Sequence, residues 1–169
     1  MSQVNVTSTP TTTSVQVGNP VYYGSFYDTA DQSSAGANQV NKMTYNTTDL
    51  ANGVSIVSSS RITIANAGIY NLQFSAQVFK TSGGTSKIDI WLQKNGSNVA
   101  NTNTELEVSG NNHGHVAAWN LFFNAAAADY CELCWSSADS TVRLDATAAQ
   151  STPTRPAIPS VILTVHKIG

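Results

Sequence analysis

The chain has 169 residues and a mass of 17.9 kDa, the length of one domain with room for a short arm. Charged residues make up 11% of it and the formal net charge is −2, so the Lys and Arg footprint of a nucleic-acid binder is missing, and no stretch approaches the ~20 apolar residues that span a membrane. Hydrophobic residues reach 41% while Ser, Thr and Asn together number 55, which supports a buried core beneath a neutral polar surface of the kind suited to packing against neighbours.

The first segment, residues 1–20, has no charge and no aromatic residue. Met1-Ser2-Gln3-Val4-Asn5 holds no basic or apolar run, so no signal peptide is expected. Val4, Val6, Val15 and Val17 sit among threonines, which favour extended backbone, and Pro10 excludes a central strand position. The reading is an extended arm that a partner would order, or else a loose tail.

Residues 21–169 read as one β domain. Short strand candidates are 21–28, 42–46, 54–57, 61–64 and 143–146. Tyr70, Leu72, Phe74, Ala76 and Val78 alternate with polar neighbours, the period of a half-buried strand. Ile88, Ile90 and Leu92 alternate in the same way, and Lys94-Asn95-Gly96-Ser97 follows with the signature of a type I′ hairpin. Val99 opens a returning strand that runs on toward Val108, and Ser109-Gly110-Asn111-Asn112 turns the chain. Ala117, Trp119, Leu121 and Phe123 form another row, then Tyr130 to Trp135, then Val161, Leu163 and Val165. The alanine run 125–128 is too short for a helix of its own. About ten strands with turns between them predict an all-β sandwich or barrel.

Few residues invite chemistry. Cys131-Glu132-Leu133-Cys134 has redox-motif spacing, but residues three apart on a strand face opposite ways, so buried free thiols are expected. His113 and His115 are two apart and share a face if they lie in a strand. On a three-fold axis such pairs would offer imidazoles to a metal, whereas the alternative is a polar loop. No metal and no cofactor is assigned. Glu105 and Glu107 fit a solvated strand face better than an acid–base couple, Ser82-Gly83-Gly84-Thr85 lacks the phosphate-loop lysine, and no catalytic constellation emerges, so the protein is not read as an enzyme. Six apolar residues, Ile69, Phe79, Trp91, Phe122, Ile162 and Ile168, oppose the core rows. They mark an interface, or else a bulge that inverts the strands carrying them.

Gly68-Ile69-Tyr70-Asn71-Leu72-Gln73-Phe74, with Trp91 to Gly96, Asp129 to Leu133 and Ser160 to Val165, resembles the signature of the tumour necrosis factor and complement globular-head superfamily. Ala128 stands where that pattern carries glycine. The resemblance implies a ten-stranded antiparallel jelly-roll sandwich that forms homotrimers, with the six apolar residues at the trimer interface and Gly68, Tyr70, Leu72 and Phe74 as the core motif. Tyr23 to Asp28, Asn46 to Asp49, Asn66 to Asn71 and Arg155 to Ile162 make the chain similar to bacteriophage virion proteins. That likeness implies synthesis in bacterial cytoplasm and a place on the capsid exterior, as a decoration or cement trimer clamping major capsid subunits. The arm, through Val4, Val6, Pro10, Val15 and Val17, would contact the shell. The competing expectation is a tail-fibre or baseplate head that binds host surface glycans, although all three tryptophans fall within predicted strands.

Overall fold

A computed structural model describes residues 20–169. The proposed capsid-contacting residues Val4, Val6, Pro10, Val15 and Val17 lie outside them. The elements are β1 (Tyr23–Asp28), β2 (Gln32–Ser33), β3 (Asn41–Lys42), β4 (Thr47–Asn52), β5 (Val54–Val57), β6 (Arg61–Ile64), β7 (Gly68–Lys80), β8 (Thr85–Lys94), β9 (Ser97–Asn98), β10 (Thr104–Ser109), β11 (His113–Ala125), β12 (Tyr130–Ser137), β13 (Val142–Leu144), β14 (Gln150–Ser151), β15 (Thr154–Arg155) and β16 (Val161–Lys167). All named pairings are antiparallel.

Two seven-stranded sheets form a sandwich. In the first, β7 pairs with β11 along its whole length on one side and with β16 and β13 on the other; β16 continues to β1 and β4, and β13 to β2. In the second, the order is β10–β8–β12–β6–β5, with β3 beside β12 and β9 beside β8. The alternating rows read from sequence become the core. Tyr70, Leu72, Phe74, Ala76 and Val78 of β7 are buried, as are Ile88, Ile90 and Leu92 of β8 and Val161, Leu163 and Val165 of β16. Trp135, fully buried, is the largest side chain among them. Each such aliphatic or aromatic side chain contributes ~1.5–3 kcal/mol by leaving water, and antiparallel pairing lets each sheet keep one face for the core and one for the outside.

Gly68 has φ +154°, and a Cβ there would lie 2.3 Å from the Gly169 carbonyl oxygen and 2.3 Å from Lys167 Cε. Glycine at the first position of β7 is therefore needed to let the C-terminus close over the start of that strand. At the predicted hairpin, Asn95 (φ 49°) and Gly96 (φ 80°) adopt the paired positive φ of a type I′ turn.

Three expectations are corrected. Of the segment 42–46 only Lys42 is in a strand, as the second residue of β3. The returning strand breaks into β9 and β10, because residues 99–103 leave the ladder between them. And β4, which the sequence did not reveal, is an edge strand with no buried residue, so no hydrophobic period marks it.

Candidate assembly face

The outward face of the first sheet is built from the alternate residues of the core rows. Register places Phe122 of β11 beside Asn71 of β7, His166 of β16 and Tyr23 of β1. One row further, Ile69 lies beside Asn124, and its backbone exchanges hydrogen bonds with the C-terminus: Ile168 N–H donates to the Ile69 carbonyl at 2.8 Å, and Ile69 N–H donates to the Gly169 carbonyl at 2.9 Å. Phe122, Ile168 and Ile69 are 61%, 52% and 46% exposed, and Tyr23 is exposed beside them. The phenylalanine and isoleucine side chains are apolar, and nothing among the described residues covers them.

The six residues expected at an interface do not all converge. Phe122, Ile69 and Ile168 cluster. Ile162, 40% exposed, lies on the same face beside Ser75, beyond a polar row made by Asn120, Gln73 and Thr164. Rows on one face are about 7 Å apart, so Ile162 stands roughly two rows from Phe122. Phe79 is half-buried under the Arg143 guanidinium, 5.4 Å from its ring centroid. Trp91 is on the second sheet and faces the opposite side of the sandwich. Alternation assigned it correctly to a non-core face but carried no information about which sheet owned that face.

The edge of this face has its own character. β11 is thirteen residues long and pairs with β7 alone among the described residues. It contains no Lys, Arg, Asp, Glu or Pro, the devices that usually blunt an exposed edge. Val116 and Phe122 stand exposed along it.

His113 and His115 open β11, with ring centroids 5.2 Å apart. They share a face as their spacing predicts, in a strand and not a loop, and both are exposed. Among the described residues no group of three or more His, Cys, Asp or Glu side chains could hold a metal ion. Cys131 and Cys134 are both free and buried. Cys131 belongs to the core cluster and Cys134 does not, which places the sulfurs on opposite faces of β12; burial pushes both thiols up from their ordinary value. Glu105 pairs with Lys87 at 2.6 Å on an exposed face that Glu107 shares, and this hydrogen bond raises the Lys87 ammonium. No helix among the described residues is long and apolar enough to cross a membrane.

Two of the sequence motifs meet. Asn95 Nδ2 donates to Asp129 Oδ1 at 2.7 Å, Tyr130 N–H donates to Asn95 Oδ1 at 3.0 Å, and Lys94 reaches Asp129 Oδ2 at 2.8 Å. The Lys-Asn-Gly hairpin and the Ala-Asp turn thus lock together at one end of the sandwich. No protein-family model matches the sequence, and no curated protein matches it. Among solved structures, the crystal structure of murine APRIL at pH 8.5 matches with a TM-score of 0.53 at 13% identity, over 88% of this chain and 100% of that one. The fold is a tumour-necrosis-factor-like jelly roll. In this TNF-like sandwich, the central strand of the first sheet is β7, which carries the Gly68, Tyr70, Leu72 and Phe74 motif, and the uncovered apolar cluster lies on the sheet that contains it. The TNF-like fold supports the expected jelly roll; it is shared at an identity that speaks for architecture alone.

Proposed function

We propose that this protein is a homotrimeric virion structural protein that decorates the exterior of a bacteriophage capsid and clamps neighbouring major capsid subunits. The observation that carries the assembly is the uncovered apolar cluster of Phe122, Ile69 and Ile168 next to an uncharged thirteen-residue edge strand. A monomer would leave both in water, at the cost of apolar hydration and with an edge open to non-specific pairing. A second and third copy of the same chain cover them symmetrically, and closed symmetry ends growth at three.

The step from trimer to capsid rests on the sequence likeness to virion proteins and on the surface chemistry. With 11% charged residues and a net charge of −2, copies repel one another little, which suits dense repeated packing. A trimer engages several shell subunits at once, so contacts that are weak singly become a strong clamp. Residues 1–20 supply an additional shell contact in this reading. The work is mechanical, with no catalysis and no cofactor, and the protein is made in the bacterial cytoplasm.

Two measurements test the two steps separately. The mass of the purified protein at micromolar concentration should be that of a trimer, and a monomer overturns the assembly. Mixed with undecorated capsids and with host cells, the protein should bind capsids; binding to cells alone overturns the capsid role and leaves the trimer standing.

A further inference from the structure

The outer face of the second sheet carries a cleft of about 680 Å³. It exists because the return from the type I′ hairpin does not pair continuously. Asn98 lies opposite Gln93, but Thr104 lies opposite Ile90, three residues later than an unbroken ladder would allow. The extra chain, residues 99–103, arches out as a wall. It is pinned in place: Val99 N–H donates to the Leu92 carbonyl at 2.9 Å, Leu92 N–H donates to Thr102 Oγ1 at 3.1 Å, and Thr102 Oγ1 donates back to the Val99 carbonyl at 2.7 Å.

Trp91, partly exposed, forms the floor of this cleft. Its indole Nε1–H donates to Asn98 Oδ1 at 2.8 Å, and Gln93 Nε2 donates to the same oxygen at 2.8 Å. The ring is therefore held by its polar edge. Across the cleft, Asn103 Nδ2 donates to Asp89 Oδ1 at 2.8 Å. Among the described residues, Asp89 Oδ2 and Asn98 Nδ2 make no hydrogen bond, so an acceptor and a donor remain free on walls that are already oriented. Preorganised polar groups around an aromatic surface are what a small polar ligand needs, because little ordering is left to be done on binding.

We propose that this cleft binds a neutral saccharide, with one pyranose ring stacked on Trp91 and its hydroxyl groups paired with Asp89, Asn98 and Asn103. A pyranose has an apolar C–H face for the indole and flanking hydroxyls that both donate and accept, which matches the free carboxylate oxygen of Asp89 and the free amide nitrogen of Asn98. Among the described residues no Lys or Arg lines the cleft, so phosphorylated ligands find no counter-charge there, and the carboxylate of Asp89 repels acidic sugars. A quaternary ammonium would want several aromatic walls, and only one is present. The site lies on the face opposite the assembly cluster, so a trimer would leave three clefts open to solvent. Binding at one cleft does not rest on the capsid reading.

The full-length protein should be titrated with neutral oligosaccharides ending in glucose, galactose, mannose or N-acetylglucosamine, with sialyllactose and phosphocholine alongside, by saturation-transfer NMR and tryptophan fluorescence. At least one neutral sugar should saturate with a Kd of roughly 1 mM for a single ring. Trp91→Ala should weaken it at least about tenfold at unchanged protein mass. Trp91→Phe keeps a stacking surface in a smaller ring and should lose only about two- to fivefold, which covers the case in which the alanine variant does not fold. Absence of binding by every neutral sugar, undiminished binding by Trp91→Ala, or saturation by sialyllactose or phosphocholine instead overturns the proposal. Each of these outcomes is independent of the mass and capsid measurements.

Discussion

The two outward faces of the sandwich are made by the same alternation and yet differ in kind. On the second sheet, Glu132 is buried although it points away from the core row. Ser60 Oγ donates to its Oε1 at 2.6 Å and the Lys42 ammonium lies 3.3 Å from its Oε2. Lys42 also donates to Gln93 Oε1 and, at 3.3 Å, to Cys134 Sγ. Glu132, Ser60, Lys42 and Cys134 thus partner one another there, as burial requires of polar groups. On the first sheet, Phe122, Ile69 and Ile168 are apolar and bare. Around Glu132 the second face is closed by its own chain, and the first face has the composition of a surface finished by a neighbour.

The largest expected effect breaks this contrast at the bare face. Phe122→Asp places a charge in the centre of the proposed trimer contact, and a central aromatic anchor is worth at least ~2 kcal/mol per interface. Because Phe122 is exposed in the protomer, the fold itself should survive. Sedimentation or light scattering should then report 17.9 kDa monomers with an unchanged far-ultraviolet spectrum. The matching change on the finished face, Lys87→Glu, should leave the trimer mass unaltered. A trimer that survives Phe122→Asp places the contact elsewhere.

The next effect breaks the finished face. Glu132→Ala leaves Ser60 and Lys42 without their carboxylate in a buried setting, at an expected loss of about 2 kcal/mol. Urea denaturation should show a lower midpoint at an unchanged slope. Glu132→Gln keeps an oxygen for Ser60 and should recover part of the loss. If alanine costs nothing, the network is decoration and the two faces differ less than the structure implies.

How much of this was legible in the sequence depended on which faces a strand exposes. β7 is flanked by core on one side and by the outward face on the other, so its alternation could be read directly. β12 is buried on both faces, and its run from Cys131 to Trp135 shows no exposed residue. The strand itself was read, but of its two faces only the opposite orientation of the cysteines could be argued. β4 buries no residue and left no hydrophobic period. Phe122 and Trp91 looked alike, since period-two spacing marks a side chain as facing away from the core without saying from which sheet. The cleft at Trp91 was wholly hidden. It depends on Thr102 taking the place of a backbone partner for Leu92, a long-range choice that no local spacing encodes.

A smaller effect belongs to the turn that carries the chain from the bare sheet to the finished one, between β11 and β12. Asp129 is held at about 2, from an ordinary 3.8, chiefly by its hydrogen bond with Lys94 and then by those from Asn95 and the Ala126 N–H. A carboxyl depressed in the folded state adds stability that is complete above its ordinary value and is lost as pH falls through its folded one. Melting temperature should therefore decline between pH ~4 and ~2, and Asp129→Asn should flatten that part of the decline. An identical slope in the variant would assign acid sensitivity to other carboxylates.

The smallest effect is one of sign, and it comes from the residue before that aspartate. Ala128 stands where the resembling pattern has glycine, and its φ is +69°, in the left-handed region that costs an L-residue about 1–2 kcal/mol. Its N–H still donates to the Ile64 carbonyl at 2.8 Å, so the turn keeps the geometry while retaining a methyl group that disfavours it. Ala128→Gly removes the strain but loosens the unfolded chain, which takes back roughly 0.5–1 kcal/mol. The net gain should be a few tenths to ~1 kcal/mol, or about 1–3 °C in melting temperature for a domain of this size. Both Phe122→Asp and Glu132→Ala subtract by uncoupling groups that the fold or the proposed trimer needs, whereas this change improves the link between the two sheets without touching either face. A fall in melting temperature would mean that the Ala128 methyl makes a contact worth more than its strain, and that the turn is matched to alanine.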